Sequence, residues 1–488
     1  MTKSVLVTPT QDLGIEPDAF FEAIRTRLSA GERIVIFYGQ AAADPSEVTL
    51  TAVFASGGAL AAFRTTMTRE PGYRSLTRDF PALHVFEREI FEQHGVKPLG
   101  HPWLKPLRFP AAARGAIAAY PFYVIEGKVV HEVAVGPIHA GVIEPGHFRF
   151  MCLGEVVHHL EIQLGYQHRG VEPLLLARDP RKLATLVETI AGDSSVAHAW
   201  GWAAALEALA GTDEDPDRDA SRALGLELER IAMHLAGLAG LANDMAFLQG
   251  AATYGRLRTT AINTSMRLCG SRFGRGWVRA ASTPAGWDAE RAGVVRAALD
   301  LIGRDLAIVN ARFLGSMSVQ HRLQGVGVVT RGQAAQIGLV GQGARASGID
   351  VDLRFDLADG PYARSPMERV VEGAGDCWAR ALVRIREIDE SIRWLRRLLD
   401  DHPAVAPSAA VAGPLQPETL AVSVREGWRG EVVHCLETDG TGRLLAYKVQ
   451  DPSLRNWLGL ALAVRENEIS DFPICNKSFD LSYCGNDL

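Results

Sequence analysis

The sequence predicts an α+β fold: a small N-terminal α/β domain followed by a large, mainly helical bundle domain with small β-sheets. Three observations predict it. Strand-like segments rich in β-branched and aromatic residues cluster with an amphipathic helix in the first 110 residues. Long stretches with apolar residues at i, i+3, i+4 and i+7 fill the middle of the chain, and alternating segments return between residues 429 and 449. At 488 residues the chain exceeds what one ordinary core accommodates.

The elements follow in order. Met1-Thr-Lys-Ser-Val-Leu-Val reads as a first strand and lacks the apolar region of a signal peptide. Residues 17–29 suit an amphipathic helix. Segments 33–39, 48–54 and 60–67 suit strands, and 86–93 a short helix. Gly95, Gly100, Pro102 and Pro106 then interrupt regular structure. Residues 1–110 form the first domain and 111–121 a linker to the second, residues 122–488. In the latter, segments 122–135 and 146–153 suit a small antiparallel sheet. Helical periodicity is expected from about Val156 to Leu399, most clearly over 224–248 and 376–399. Residues 401–418 read as a loop, 429–435 and 443–449 as a hairpin, and 453–466 as a last helix before the tail.

The net charge of −6 comes without a long basic run, which argues against nucleic acid as a partner. No stretch approaches the ~20 apolar residues that span a bilayer, Leu458–Val464 being the nearest. Membrane association would therefore come through a partner. The six cysteines form no C-x-x-C pair, which disfavours a zinc ribbon or a self-contained iron–sulfur site and predicts inert, mostly buried thiols.

Generic motifs fail individually. Gly341-Gln-Gly-Ala-Arg-Ala346 lacks a βαβ frame for a dinucleotide. Glu155-x-x-His158 has the spacing of half a di-iron site, yet its counterpart Glu431-x-x-His434 falls on a predicted strand, where the two side chains diverge. A solvated or paired helix face is the reading for the first. Longer patterns are more specific. Gly136-Pro-Ile-His-Ala-Gly-Val-Ile-Glu-Pro-Gly-His-Phe-Arg149, Gly154-Glu155 and Gly165-Tyr-Gln-His-Arg-Gly-Val-Glu172 follow one another closely. Leu226-Glu-Leu-Glu-Arg230, Gly343-Ala-Arg-Ala-Ser-Gly-Ile-Asp350, Asp352-Leu-Arg354, Gly375-Asp376, Arg429-Gly-Glu431, Pro452-Ser453 and Ser478-Phe-Asp480 continue the order.

This series resembles the D-type component of bacterial complex I and the large subunit of group 4, energy-converting NiFe hydrogenases, including formate hydrogenlyase-type enzymes. Phe86-Glu-Arg-Glu-Ile-Phe91 with Gly95-Val96 and Gly100-His-Pro-Trp-Leu104 resembles the C-type component of complex I, giving a fused C–D arrangement. The resemblance implies a chain peripheral to the cytoplasmic face of a membrane. Its partners would be a complex I B-subunit-like iron–sulfur protein holding a 4Fe–4S cluster, and antiporter-like membrane subunits. No cofactor would be bound by this chain itself, and a quinone-like acceptor would use the cleft.

The resemblance also locates departures. A NiFe centre needs four thiolates, which the family supplies as two C-x-x-C pairs. Aligned through Ala197-His198, the first pair becomes Ala191 and Ser194; the second retains only Cys484. Hydrogenase activity is therefore not expected. The tyrosine that holds the quinone in complex I falls near Gly192-Asp193, where no tyrosine stands. Its histidine loop is matched at His139, with His147 as the nearest second histidine. Asp193 reads either as a proton relay with its pKa raised by desolvation, or, like Ser194, as a cap of the next helix. His198 reads as a packing histidine in preference to an acid–base group. Glu144 and Glu155 suit a proton path or ion pairs with Arg149 or Arg169, and Arg345 the cleft or a structural salt bridge. Asp480 and Cys484 line the cleft, Cys484 as a buried thiol. A catalytically silent scaffold holding the iron–sulfur subunit is the alternative function, and a soluble NAD-binding dehydrogenase is not expected.

Overall fold

The structure, a computed structural model, describes residues 3–127, 129–139 and 143–488, with backbone alone at 111–114. Met1-Thr2 of the expected first strand, Lys128 of the next expected sheet and Ala140-Gly141-Val142 of the His139 loop lie outside the described residues.

The first strand, β1 (Val5–Pro9), is followed by α1 (Pro17–Ser29) and the antiparallel strands β2 (Arg33–Ala41), β3 (Glu47–Ser56) and β4 (Ala59–Thr68). Gly57 and Gly58, at φ +57° and +78°, supply the left-handed backbone of the tight β3–β4 turn. Helix α2 (His84–His94) ends on Gly95 in the left-handed conformation. The acidic and basic residues of its Phe86–Phe91 motif point inward. Glu87 accepts from the Leu76 amide at 2.9 Å and the Thr77 hydroxyl at 2.6 Å, Arg88 donates to the Lys105 and Pro106 carbonyls, and Glu89 pairs with Arg108 and Lys448. Burying these charges is tolerable only because each is met. The motif thereby fastens the 105–108 loop and the second half of the chain to α2.

β1 departs from expectation. It joins a sheet of order β1-β8-β9-β10 built with β8 (Thr419–Gly427), β9 (Gly430–Thr438) and β10 (Leu444–Gln450), pairing antiparallel with β8. This sheet and the β2–β4 sheet share one apolar core, in which Phe37, Leu50 and Phe54 cluster with Val422, Val433 and Leu454. Arg64 bridges to Glu437, and Arg33 and Arg455 both reach Glu431.

The linker forms a 3-10 helix over Ala111–Ala119. Beyond it, β5 (Val130–Val135), β6 (His147–Leu153) and β7 (Val156–Gln163) make an antiparallel sheet. β7 corrects the expected onset of helix at Val156. Gly154 at φ +59° turns the chain back, and the β-branched pair Val156-Val157 continues as a strand. Glu155 and His158 consequently lie on a turn and a strand, not on a helix face.

The bundle consists of α3 (Ser195–Leu209), α4 (Pro216–Asp244), α5 (Leu248–Cys269), α6 (Ala289–Gly315), the short buried α7 (Gly341–Ala346) and α8 (Cys377–Asp401). Asp215 caps α4, with Pro216 in its first turn, and Asp376 caps α8 through the Ala379 amide at 2.7 Å. α3 is buried along nearly its whole length between α4 and the β8–β9 hairpin. The tail contains three helices, α9 (Ser453–Ala463), α10 (Phe472–Phe479) and α11 (Tyr483–Asp487). The Gly341–Ala346 segment packs against the β8–β9 turn so closely that a Cβ on Gly341 would lie 2.0 Å from the Arg429 carbonyl. Gly341 serves that contact, while Gly343 faces the Phe479 ring. Among the described residues no helix is long and apolar enough to cross a membrane.

Candidate functional site

Three chain segments far apart in sequence converge: the Ala191–Ser194 turn before α3, the two-residue Trp428-Arg429 turn between β8 and β9, and the C-terminal helices. Trp428 donates its indole N–H to the Asp193 carbonyl at 2.9 Å. Arg429 places Nη1 and Nη2 each 2.7 Å from one Asp193 carboxylate oxygen, stacks over Trp428 at 3.9 Å, and donates Nε to the Asp480 carbonyl. Burial works against the Arg429 cation, but Asp193, Asp480 and Asp451 together raise its pKa above the ordinary arginine value. Asp480 stands in the left-handed conformation at the end of α10, its charge facing buried Arg384, whose pKa burial brings down to about 10.

The capping reading of Asp193 and Ser194 does not hold. Ser194 occupies the N-cap position of α3 without a side-chain cap bond. Glu229 of α4 takes that role from outside, accepting from the Val196 and Ala197 amides at 2.7 and 3.3 Å. Burial pushes the Glu229 carboxyl up to about 8, its amide bonds oppose the rise, and the charge of Asp193 adds to it.

His198, one turn into α3, is fully buried. Its Nε2 lies 3.1 Å from Asp451 Oδ2 and its Nδ1 3.2 Å from His434 Nε2; His434 Nδ1 lies 2.9 Å from the Tyr447 hydroxyl. The carboxylate only accepts, so His198 donates to Asp451. Burial works against ionised Asp451, yet the His198 bond holds it below the ordinary carboxylate value. His434 thus belongs to a hydrogen-bond relay beside α3, and a Cβ on Gly201 would meet its ring at 2.6 Å.

Cys484, the second residue of α11, lies beside Glu144, which accepts from the Tyr483 and Cys484 amides at 3.2 and 3.4 Å. Burial, and then the Glu144 charge, push the Cys484 thiol up to about 11. Arg169 ties the motif segments together, donating to the Thr189, Ile190 and Cys484 carbonyls. Glu144 therefore touches the C-terminal motif, while Arg149 pairs with Glu132. His139 Nε2 lies 2.8 Å from the Gly146 carbonyl, and its ring packs on Phe148, which in turn contacts Tyr483. Contacts thus link His139, Glu144, Cys484, Asp193, Ser194, His198 and Asp480 into one region.

Two expected members stand elsewhere. His147 precedes Phe148 on β6, so its side chain takes the other face of the sheet. It packs on Phe122 with Arg149, and burial and Arg149 lower its pKa. Arg345 is 1% exposed in the core. It binds Glu387 at 2.7 Å and Glu426 at 2.7 Å, next to Asp352 and Arg354. The structural salt bridge is the arrangement found. Arg429, Asp451, Glu229 and His434 join the site without having been expected there. In the sequence, Arg429 and Glu229 are signalled by their places in the ordered Arg429-Gly-Glu431 and Leu226-Glu-Leu-Glu-Arg230 motifs.

The donor chemistry does not fit a NiFe centre. Ala191 offers no donor, Ser194 a hydroxyl, and Cys484 a single protonated thiol, where the metals need four soft anionic sulfurs. Cys475 lies with Cys377 instead, both sulfurs within 3.1 Å of where a Cβ on Gly327 would stand. Cys377, like Cys152, Cys435 and Cys475, is buried, as expected of most of the thiols. Burial alone would raise its pKa, but Cys475, Arg380 and Ser478 bring it down to about 6. Among the described residues no group of three or more His, Cys, Asp or Glu side chains is arranged to hold a metal ion.

Comparison with known proteins adds to this geometry. The respiratory-chain NADH dehydrogenase 30 Kd subunit family matches residues 14–121, and the 49 Kd subunit family matches residues 244–414. The carbon monoxide-induced hydrogenase of Rhodospirillum rubrum is 30% identical over 72% of this chain and 97% of its own length. Formate hydrogenlyase subunit 5 of Escherichia coli is 27% identical, over 86% of this chain and 77% of its own length. The D-type component of the NADH-quinone oxidoreductase of Clostridium beijerinckii is 27% identical, over 66% and 87%. With both matched regions fused in one polypeptide, the chain belongs to the family that joins group 4 hydrogenase large subunits to the C- and D-type components of complex I.

Proposed function

We propose that this chain is the large subunit of a membrane-associated, complex I-like oxidoreductase that does not carry out NiFe hydrogen chemistry. Its cleft would lie between the His139 loop and the Gly192–Ser195 turn, closed by a B-subunit-like protein whose 4Fe–4S cluster delivers electrons. A quinone-like acceptor there takes up two electrons and two protons to become the quinol, and proton uptake couples to antiporter-like membrane subunits. The observation that carries the reading is the replacement of the thiolate set. Where the resemblance places the first cysteine pair, this chain has Ala191 and Ser194, beside an Asp193 carboxylate engaged by Arg429, and of the second pair it keeps Cys484 alone. His139, half-buried on that rim, supplies an acid–base group.

The test is made on the complex purified from its source. Nickel well below one per complex, no hydrogen evolution from a low-potential viologen, and reduction of a short-chain quinone are expected. Stoichiometric nickel or hydrogen evolution would overturn the reading.

A second reading, a catalytically silent scaffold, is favoured by one contact: the Asp193 carboxylate is already neutralised by a buried arginine. Asp193→Asn and His139→Ala in the assembled complex separate the two. Unchanged turnover in both variants supports the scaffold, and a tenfold or greater loss in either supports the redox cleft.

A further inference from the structure

A mainly apolar concavity that also collects unmatched polar groups lies apart from Asp193. A cavity of about 470 Å³ opens where α2 and the Pro102–Leu107 loop face β7 and α9. Its size falls in the range of small-molecule sites. The walls are aromatic and aliphatic, with Trp103, Tyr120 and Trp457 prominent.

The charges of its lining are cationic, with the Glu161 carboxylate directly behind the wall, where it also accepts from the Trp103 indole and the Tyr120 hydroxyl. Among the described residues no lining side chain is a carboxylate, while Arg88, Lys105 and Arg465 are cationic. Lys105 is engaged by Glu161 just outside the lining. Arg88 lies over Trp103 at 4.6 Å and is anchored by the Lys105 and Pro106 carbonyls, at 2.8 and 2.7 Å, which bear partial and not full negative charge. Arg465, exposed at the mouth, sets Nη2 3.3 Å from His159 Nδ1.

Two buried groups on the wall have no hydrogen-bond partner among the described residues: both ring nitrogens of His84, 5% exposed, and the indole N–H of Trp457, 6% exposed. Leaving buried polar atoms unmatched costs about 1–3 kcal/mol each, so such atoms mark where an acceptor belongs. Burial, and then Arg88, depress the His84 pKa well below its ordinary value, leaving a neutral ring with one N–H to donate. A deep apolar body, cationic and N–H donor groups and no lining acid define the complementary molecule.

We infer that this cavity binds a small amphiphilic anion, an acyl or aromatic body carrying one carboxylate, clasped between the two halves of the chain. The inference is independent of the redox reading, since no lining residue of the cavity belongs to the set around His139 and Asp193.

Decanoate is the probe, and 1-decanol its uncharged counterpart. Both are titrated into the full chain and into the assembled complex, with tryptophan fluorescence and calorimetry as readouts. One saturable decanoate site is expected, with decanol at least tenfold weaker. Arg465→Glu, on an exposed residue that folding does not depend on, should weaken decanoate threefold or more and leave decanol unchanged. Leu458→Trp, which fills the cavity from α9, should abolish binding at an unchanged melting temperature. Equal affinity for decanoate and decanol, indifference to Arg465→Glu, or the absence of saturable binding would each overturn the proposal. So would binding by the chain that disappears in the assembled complex, because a partner side chain would then be the natural occupant.

Discussion

Asp193 and Arg429 meet as a two-pronged ion pair whose members differ in exposure: the guanidinium is 4% exposed and the carboxylate 37%. That asymmetry fixes what each substitution does. Asp193→Asn leaves the buried cation only the charges of Asp480 and Asp451 and is expected to cost about 1–2 kcal/mol, less than a fully buried pair because Asp193 reaches solvent. Arg429→Lys should cost a similar amount, since an ammonium cannot span both oxygens and the Asp480 carbonyl. Urea unfolding of the two variants measures both.

Glu229 gives stability a pH dependence of unusual sign for a carboxylate. Its carboxyl titrates near 4.5 when unfolded and at about 8 when folded. Between these values the folded state holds a proton that the unfolded state has released, so this contribution is complete below about 4.5. It falls as pH rises and levels off above 8. Glu229→Gln should flatten the decline between pH 4.5 and 8 while retaining an oxygen for the α3 amides, as melting temperatures across that range would reveal.

Arg345 is the hub of a dry charge cluster. Arg345→Met strips Glu426 of its ion-pair partner and leaves Glu387 to His234, Arg230 and Arg354, and is expected to destabilise by roughly 3–5 kcal/mol. Loss of soluble expression, or a matching drop in the denaturation midpoint, checks it. A variant stable to within about 1 kcal/mol would show that the cluster is not held together by this cation.

Gly225 lets α4 approach an indole: a Cβ there would stand 2.7–2.9 Å from Trp277 ring atoms. Gly225→Ala should cost about 1–3 kcal/mol by overpacking, despite alanine's better helix propensity. Pairing it with Trp277→Leu should recover part of the loss in a double-mutant cycle, since the clash needs both groups.

How much of this is legible in the sequence varies with the range of the interaction that decides it. α1, the β2–β4 strands, α2 and α8 carry their own caps, turns and periodicity, so local pattern suffices. β7 does not, because Val156-Val-His-His-Leu-Glu-Ile-Gln163 has too little alternation to separate it from the helices that follow. The turn at Gly154 decides. Asp193 stands out in the sequence, but its partner lies in a hairpin turn of the last sheet, and no local rule joins them. Motif order pairs His139 with His147, whereas the alternation of β6 sends His147 to the opposite side. Arg345 reads ambiguously because its surroundings are assembled from four separate segments.

The pairing of Thr8 with Leu420 bears on how the polypeptide matures. At about 5–20 residues per second of synthesis, the first strand emerges from the ribosome tens of seconds before its hydrogen-bonding neighbour exists. Until then its backbone is an open edge, and the part of the shared apolar core that β8, β9 and α9 supply is missing. Nascent chains arrested shortly before β8 should therefore lean on chaperones far more than chains arrested just after it.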